Sequence, residues 1–262
     1  MTIPTSQAAG SAAQNQYVRT ILAIASGSAL ASGGDAAGIA VSGQLDARSA
    51  RLGAAANNVD DMVSLAQTQQ GFLQGVQDSL TRMSVLAQQA SSNVFGADAQ
   101  AAYSAEFDSL KNQIDQVTQN ASFNGQPLFS GGAVSTTVNA DGTQDGLSLG
   151  SLDTGTLGLS GVSLDTPADA QDALSKVNAA LSSVTGRSAS VSADISKFNF
   201  YAANIGTEQN SVLSANSSIS DADVAKQSTA LASAGIRNQL DMAVRAQANR
   251  SAKNVLNLLT SP

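Results

Sequence analysis

The spacing of prolines and apolar residues constrains this chain more than any other feature of its sequence. Prolines stand only at positions 4, 127, 167 and 262, so two stretches of more than ninety residues contain nothing that forbids a helix. In the first stretch, apolar residues recur every seven positions between Val59 and Ala90. They form a seam of the coiled-coil type over about four heptads, with Gln69 as its polar member. This pattern predicts a long helix that packs against other helices.

Two further helices are predicted by the same spacing. In the first helix, one heptad line of the seam consists of Val59, Ala66, Leu73, Leu80 and Ala87. The other line consists of Met62, Gln69, Val76, Met83 and Ala90. A second helix follows the Gly96-Ala97-Asp98 break and ends near Asn120. A third extends from about residue 168 to residue 219, and its better line is Val177, Val184, Val191, Phe198, Ile205, Val212 and Ile219. Helices this long predict a rod rather than a globule.

The region between the helical blocks has a different pattern. Pairs typical of turns separate short runs rich in Val, Leu, Ser and Thr: Asn124-Gly125, Gly131-Gly132, Asp141-Gly142 and Asp145-Gly146. Residues 123–166 are therefore predicted to form β-hairpins and loops. Both helical blocks lead into this insert, so it is expected at the end distal to the termini. The predicted fold is mainly α, an elongated antiparallel coiled-coil-like rod with a small β-hairpin insert.

The terminal segments are also predicted to be helical, but their apolar seams are weaker and contain more glycine. Such helices are marginal alone, so we expect them to become ordered by packing on other copies of the chain. The chain thus divides into residues 1–45, a terminal helix and linker; 46–122, rod helices; 123–166, the insert; 167–219, a rod helix; and 220–262, a terminal helix. The candidate assembly residues are Val18, Ile21, Leu22, Leu240, Ala243, Val255, Leu256 and Leu259.

Composition argues against most enzyme and metal chemistry. The chain has no Cys and no His, which removes the usual nucleophiles, bases and transition-metal ligands. The Asp141-x-Thr143-x-Asp145-Gly146 segment begins like a calcium loop, but Leu152 stands where the bidentate Glu belongs. We therefore predict no enzyme activity, cofactor or metal.

Charge and hydropathy exclude two classes of partner. A net charge of −7 provides no basic surface for nucleic acid. No apolar run approaches the ~20 residues of a membrane span. Arg19 and the apolar run after it loosely resemble a cleavable signal peptide, but that run is shorter than the ~7–15 residues expected.

Several segments resemble, in the same order, the bacterial flagellin family. Residues 34–45 read GDAAGIAVSGQL, similar to the family's DDAAGLAIS signature, and residues 80–90 read LTRMSVLAQQA, similar to LQRMRELAVQA. Further similar segments are NNVDDMVSLAQT at 57–68, IDQV at 114–117, SFNG at 122–125, ISDADVA at 219–225, AQAN at 246–249 and NVLNLL at 254–259. Residues 24–32 depart from the pattern, since they lack the basic residue and Asn of the family's RLSSGLRINSA. The insert is also too short for the outer domains of long flagellins.

The resemblance implies a structural subunit that polymerises into the flagellar filament, with the terminal helices in an inner tube and the rod helices in an outer tube. It implies a secreted, extracellular protein that passes through the flagellar export apparatus, binds a flagellin chaperone through its C-terminal segment, and meets the filament cap and junction proteins. Assembly with itself, alone or with other flagellins, is also implied. An innate immune flagellin receptor would read a face that falls here on Arg82, Leu86 and Glu106.

Two alternatives remain open. A hook–filament junction protein of the same family shares the N-terminal pattern but is not expected to carry the AQAN ending at 246–249. A secreted rod-like adhesin belongs to another class, and the short insert disfavours it.

Overall fold

The computed structural model describes residues 3–26, 36–92, 96–221 and 224–260, with side chains omitted at 3–13, 23, 36, 224–227, 252 and 255–260. The helices are α1 (Ile3–Ser26), α2 (Ala36–Ala90), α3 (Ala97–Asn120), α4 (Pro167–Ser220) and α5 (Val224–Thr260). The strands are β1 (Ser122–Phe123), β2 (Gln126–Pro127), β3 (Gly132–Thr137) and β4 (Gln144–Leu149). The prediction of a mainly helical chain with small antiparallel strand pairs is confirmed.

The chain forms two compact units. Unit 1 comprises residues 1–50 and 210–262, and unit 2 comprises residues 51–209. In the part of the chain that the structure describes, no helix is both long and apolar enough to cross a membrane.

The core of unit 2 is built on the predicted heptad lines. All ten residues on the two lines of α2 are buried, and in α4 Val177, Val184, Val191, Phe198 and Ile205 are buried as well. The pairs Ser84–Asn178 and Gln70–Ser188 show that α4 runs antiparallel to α2. The buried face of α2 is wider than the predicted two-line seam, because Leu65, Ser79 and Leu86 form a third buried line. Helix α2 therefore packs against neighbours on more than one side.

A capping arrangement starts α4. The Thr166 hydroxyl bonds to the Asp169 carboxylate at 2.6 Å, and the Asp169 amide donates to the same hydroxyl at 3.1 Å. Pro167 occupies the first helical position, where a backbone N–H would have no acceptor within the helix, so its absence costs no hydrogen bond. The sequence prediction of a helix from about residue 168 to 219 therefore agrees closely with Pro167–Ser220.

The polar member of the α2 seam, Gln69, holds the insert in place. Its side chain is fully buried, and its amide donates to the carbonyl of Leu128 at 3.1 Å and to that of Ser148 at 3.4 Å. The guanidinium of Arg187, on α4, donates to the same Ser148 carbonyl at 3.0 Å. A buried amide that satisfies backbone carbonyls stabilises one arrangement of the strands against the helices.

The insert lies along the side of the helices, which corrects the expectation that it occupies the end distal to the termini. Its tip is near Ala140, whose carbonyl accepts a hydrogen bond from Arg51 at 3.1 Å. The hairpin therefore runs beside residues 51–69 of α2, rather than beyond the end of that helix. Local turn signals predict a hairpin but carry no information about which side of a distant helix it covers.

Residues 150–166 continue the insert along α3. The carbonyl of Val162 accepts from Lys111 at 2.9 Å, and Asp115 accepts from both the amide and the hydroxyl of Thr154, each at 2.9 Å. The apolar side chains of this segment are buried: Leu152, Leu157, Leu159, Val162 and Leu164. The segment is thus a packed cover over α3 despite having no strand or helix of its own.

The Asp145-Gly146 pair is part of strand β4, not a turn as its sequence suggests. Gly146 lies opposite Ser135 of β3, and a Cβ at Gly146 would collide with the carbonyl oxygen of Val134. Glycine is therefore required here by close approach of the strands. The Asn124-Gly125 turn is observed between β1 and β2, where both residues have positive φ, and Asp141-Gly142 lies between β3 and β4. In the Gly131-Gly132 pair, Gly131 has positive φ but Gly132 is already the first residue of β3.

The Asp145 carboxylate fastens β4 to α4. It accepts hydrogen bonds from Lys197 at 3.0 Å, from the Tyr201 hydroxyl at 2.8 Å and from the Gly146 amide at 2.7 Å. Partial burial acts to raise the pKa of Asp145, but these bonds outweigh it and the pKa is lowered. The carboxylate that resembled a calcium ligand in sequence is thus engaged by a cation and a hydroxyl.

Candidate assembly interface

Unit 1 is organised around contact between α1 and α5. Thr20 of α1 and Ala234 of α5 are both buried, and the ring of Tyr17 lies 3.9 Å from the position of a Cβ on Gly235. Small residues at 234 and 235 thus let the two helices approach. Among the described side chains of these two helices, Thr20 and Ala234 are the buried ones, and both are small.

The outward face of α1 is apolar. Val18, Ile21 and Leu22, all predicted as assembly residues, recur at helical spacing on the side away from Thr20, and each is at least 40% exposed. In the described part of α1, packing against α5 leaves these three side chains uncovered. The structure therefore places these three residues where a further helix could cover them.

Helix α5 has a similar stripe opposite its contact with α1. Leu240, predicted from the sequence, is 59% exposed, and Ala243 is exposed as well. Ile236 and Val244, four residues to either side of Leu240, continue the stripe. They were not among the predicted assembly residues, although their i, i+4 spacing to Leu240 is the signal that could have identified them. Exposed apolar residues of unit 1 that carried no assembly prediction are Ile39, Val41, Leu213, Ile236, Met242 and Val244. The predicted residues Val255, Leu256 and Leu259 belong to α5, but their side chains lie outside the described set.

The two units differ in where they place apolar side chains. Among side chains that the structure describes, ten of the twelve exposed large hydrophobic residues belong to unit 1. By contrast, thirty-five of the thirty-seven buried apolar residues belong to unit 2. Unit 2 therefore has a core of its own, whereas unit 1 leaves apolar surface uncovered, which is typical of an association surface.

A polar contact joins α2 and α4 within unit 1. The Ser42 hydroxyl, which is buried, donates to the side-chain oxygen of Asn216 at 2.6 Å, and the Asn216 amide donates to Asp46 at 2.7 Å. Asn216 ends a second heptad line of α4, which also contains Leu174, Leu181, Ser188, Ile195, Ala202 and Gln209. A hydrogen-bonded polar group in a helix seam fixes the register of the two helices.

The three residues of the predicted receptor face lie in unit 2. Arg82 of α2 and Glu106 of α3 form an exposed ion pair with Nε and Oε1 2.7 Å apart. This hydrogen bond lowers the pKa of Glu106 and raises that of Arg82. Leu86, however, is fully buried, so it supports this surface from beneath and is not part of it. The prediction carried Leu86 over from the family resemblance, and in this chain Leu86 belongs to the third buried line of α2.

Over the residues that the structure describes, no three His, Cys, Asp or Glu side chains are grouped so as to hold a metal ion. The contacts of unit 1 are those of helix packing. The fold and the surface of unit 1 define a class of protein: a helical subunit built to associate with further helices.

Comparison with known proteins identifies the family. Residues 3–133 match the model of the bacterial flagellin N-terminal helical region, and residues 174–259 match that of the C-terminal helical region. The chain belongs to the bacterial flagellin family.

Relatives from several bacteria are similar over most of their length. The flagellar filament 30.7 kDa core protein of Treponema maltophilum is 29% identical over 246 residues, which cover 87% of this chain and 86% of that protein. A flagellin of Halalkalibacterium halodurans is 30% identical over 233 residues, covering 87% and 85%. The crystal structure of Bacillus cereus flagellin shares the fold, with a TM-score of 0.53 and 22% identity over 57% of this chain and 88% of that one.

The chain is accordingly a structural subunit of the flagellar filament, in a family of structural proteins whose filament is extracellular. The named relatives are flagellins and filament core proteins, which favours the filament over the junction alternative.

Proposed function

We propose that the outward faces of α1 and α5 are the surfaces through which copies of this chain bind one another in the filament. The observation that carries this proposal is the concentration of exposed apolar side chains on unit 1. In this account residues 1–45 and 220–262 form the inner tube. Residues 46–122 and 167–219 form the outer tube.

The energetics are consistent with such a division. Burying one Leu, Ile or Val side chain stabilises association by roughly 1.5–3 kcal/mol. Four or five of them on each copy, among them Ile21, Leu22, Ile236 and Leu240, reach the scale of the ~4–15 kcal/mol lost on association. Among the described side chains of α1 and α5, Thr20 and Ala234 are the buried ones. Polymerisation in this account couples ordering of these helices to binding.

Family membership supports several partners beyond a second copy. We include the flagellar export apparatus, a flagellin chaperone at the C-terminal segment, the filament cap and junction proteins, and other flagellins that co-assemble. The proposed route is secretion through the filament to its tip. Helices that are marginal alone suit a chain that passes through a channel unfolded.

A truncated chain tests which segments mediate assembly. Residues 46–219 include all of unit 2, so this fragment keeps the buried core and we expect it to remain helical and soluble. It lacks the apolar faces of α1 and α5 and is expected not to elongate filament seeds, whereas full-length chain prepared in the same way does. Addition of the fragment to seeds, seen by electron microscopy, would show that the assembly surfaces lie elsewhere.

The receptor proposal is limited to the exposed pair Arg82 and Glu106. The Arg82→Ala change removes the guanidinium while leaving the buried seam of α2 intact, since Arg82 itself is exposed. We expect at least a tenfold loss of monomer signalling in a receptor reporter assay, on the order of 1.4 kcal/mol. Arg237→Ala, which removes an exposed guanidinium from α5 in unit 1, is the matched control. Equal signalling by wild type and Arg82→Ala, or none by wild type, would refute the proposal.

A further inference from the structure

Among the described residues of unit 2, one aromatic side chain is strongly exposed. Phe200 of α4 is 63% exposed, although the apolar residues around it in sequence, Phe198 and Ile205, are buried. In the described part of unit 2 the other exposed large hydrophobic residue is Val85, at 43%. Aromatic side chains bury a large area and often anchor interfaces. Phe200 is therefore a candidate contact in the assembled protein.

The same unit contains an open groove of about 400 Å³ between α2 and the two hairpins. Its floor is apolar, formed by buried Met62 and Leu65 with half-buried Phe123 and Val134. Its rim is polar: Asn58, Asp61, Asn124, Gln126, Ser135 and Thr136. An apolar floor with a polar rim is the usual setting for an aromatic anchor at a protein interface. The volume is sufficient for a phenyl ring.

Phe200 and the groove lie at the same height along the helices. Gln70 of α2 bonds to Ser188 of the antiparallel α4 at 2.6 Å. Twelve residues further along α4 is Phe200, and twelve residues back along α2 is Asn58, on the groove rim. The hairpin gives an independent link, because the groove residue Thr136 pairs with Asp145, which binds Tyr201 next to Phe200.

Phe200 is not one of the residues that line the groove of its own chain. We propose that Phe200 of one copy inserts into the groove lined by Met62, Leu65, Phe123 and Val134 of the neighbouring copy in the filament. Such a contact joins two different patches, and a heterologous contact that does not close a ring generates a helical polymer. Equal height allows the copies to sit side by side with little axial shift. This inference rests on the proposed assembly of the chain.

Cross-linking in the filament tests the contact directly. A photoreactive benzophenone analogue of phenylalanine at position 200 keeps the aromatic shape and reacts with whatever covers it. Filaments are grown from this full-length chain, irradiated, and the linked peptides mapped by mass spectrometry. We expect links between chains from position 200 to residues 58–65 or 123–136. Links confined to other segments, or no links between chains, would overturn the contact while leaving assembly through α1 and α5 intact.

Assembly thresholds provide a second measurement. Phe200→Ser, and separately Ser135→Arg on the groove rim, are expected to raise the critical concentration for elongation about tenfold or more. Val85→Ser removes an exposed apolar residue outside the groove and should change it less than about twofold. An unchanged threshold for Phe200→Ser would contradict the contact. Failure of wild-type chain to elongate seeds would instead refute the assembly role itself.

Discussion

Replacing Leu80 with aspartate is expected to lower the free energy of unfolding of unit 2 by about 4 kcal/mol or more. Leu80 is fully buried on the first heptad line of α2, one turn from the buried residues Val76 and Met83. A carboxylate there loses its hydration and, in an apolar seam, gains neither a cation nor a hydrogen-bond donor. The same substitution also removes the apolar contacts of the leucine.

Thermal unfolding followed by circular dichroism measures this effect. Val85→Asp is the matched control, since it places the same charge on the same helix at a 43% exposed position. We expect a change of less than about 0.5 kcal/mol for the control. A Leu80→Asp chain that unfolds at the wild-type temperature would mean that the helix phase of α2 is wrong.

Leu240→Asp is expected to abolish elongation of filament seeds while leaving the monomer folded. Leu240 is 59% exposed on the outward stripe of α5, so a charge there is solvated in the free chain. When a neighbouring helix covers the stripe, the same carboxylate is buried without a partner. The free energy of association is therefore less favourable by several kcal/mol for every subunit that is added to the polymer.

The control for Leu240→Asp adds the same charge to unit 2. Gln113→Asp lies on the exposed side of α3, and filaments are expected to grow from it at close to the wild-type rate. Circular dichroism of both monomers shows whether each is folded before seeds are added. Normal elongation by Leu240→Asp would show that the outward stripe of α5 remains in water after assembly.

Much of the fold could be predicted because heptad spacing reports directly on which residues are buried. Every α2 residue on the two predicted lines is buried, and the helix starting at Pro167 has the expected length. The position of the insert could not be predicted, since it depends on long-range bonds such as Arg51 to Ala140 and Gln69 to Ser148. Leu86 was placed on the surface by family resemblance, and a resemblance does not show that the residue is buried in this chain.

The sequence predicted which segments carry the candidate interface, but only some of the exposed apolar residues on them. Weak seams in the terminal segments correctly indicated exposure of Val18, Ile21, Leu22 and Leu240. Periodicity alone does not separate an apolar stripe covered within the chain from one left for a neighbour. The structure separates the two cases, because the contact between α1 and α5 shows which side of each helix is covered within the chain.

Hydrogen–deuterium exchange of full-length chain, compared between monomer and filament, tests most directly the claim that α1 and α5 are the assembly surfaces. In the monomer, amides of both helices should exchange rapidly, and amides of the unit 2 core slowly. On assembly, protection in α1 and α5 should rise on the order of a hundredfold or more, with little change around Leu80 and Val191. Equal exchange of α1 and α5 in monomer and filament would contradict the account.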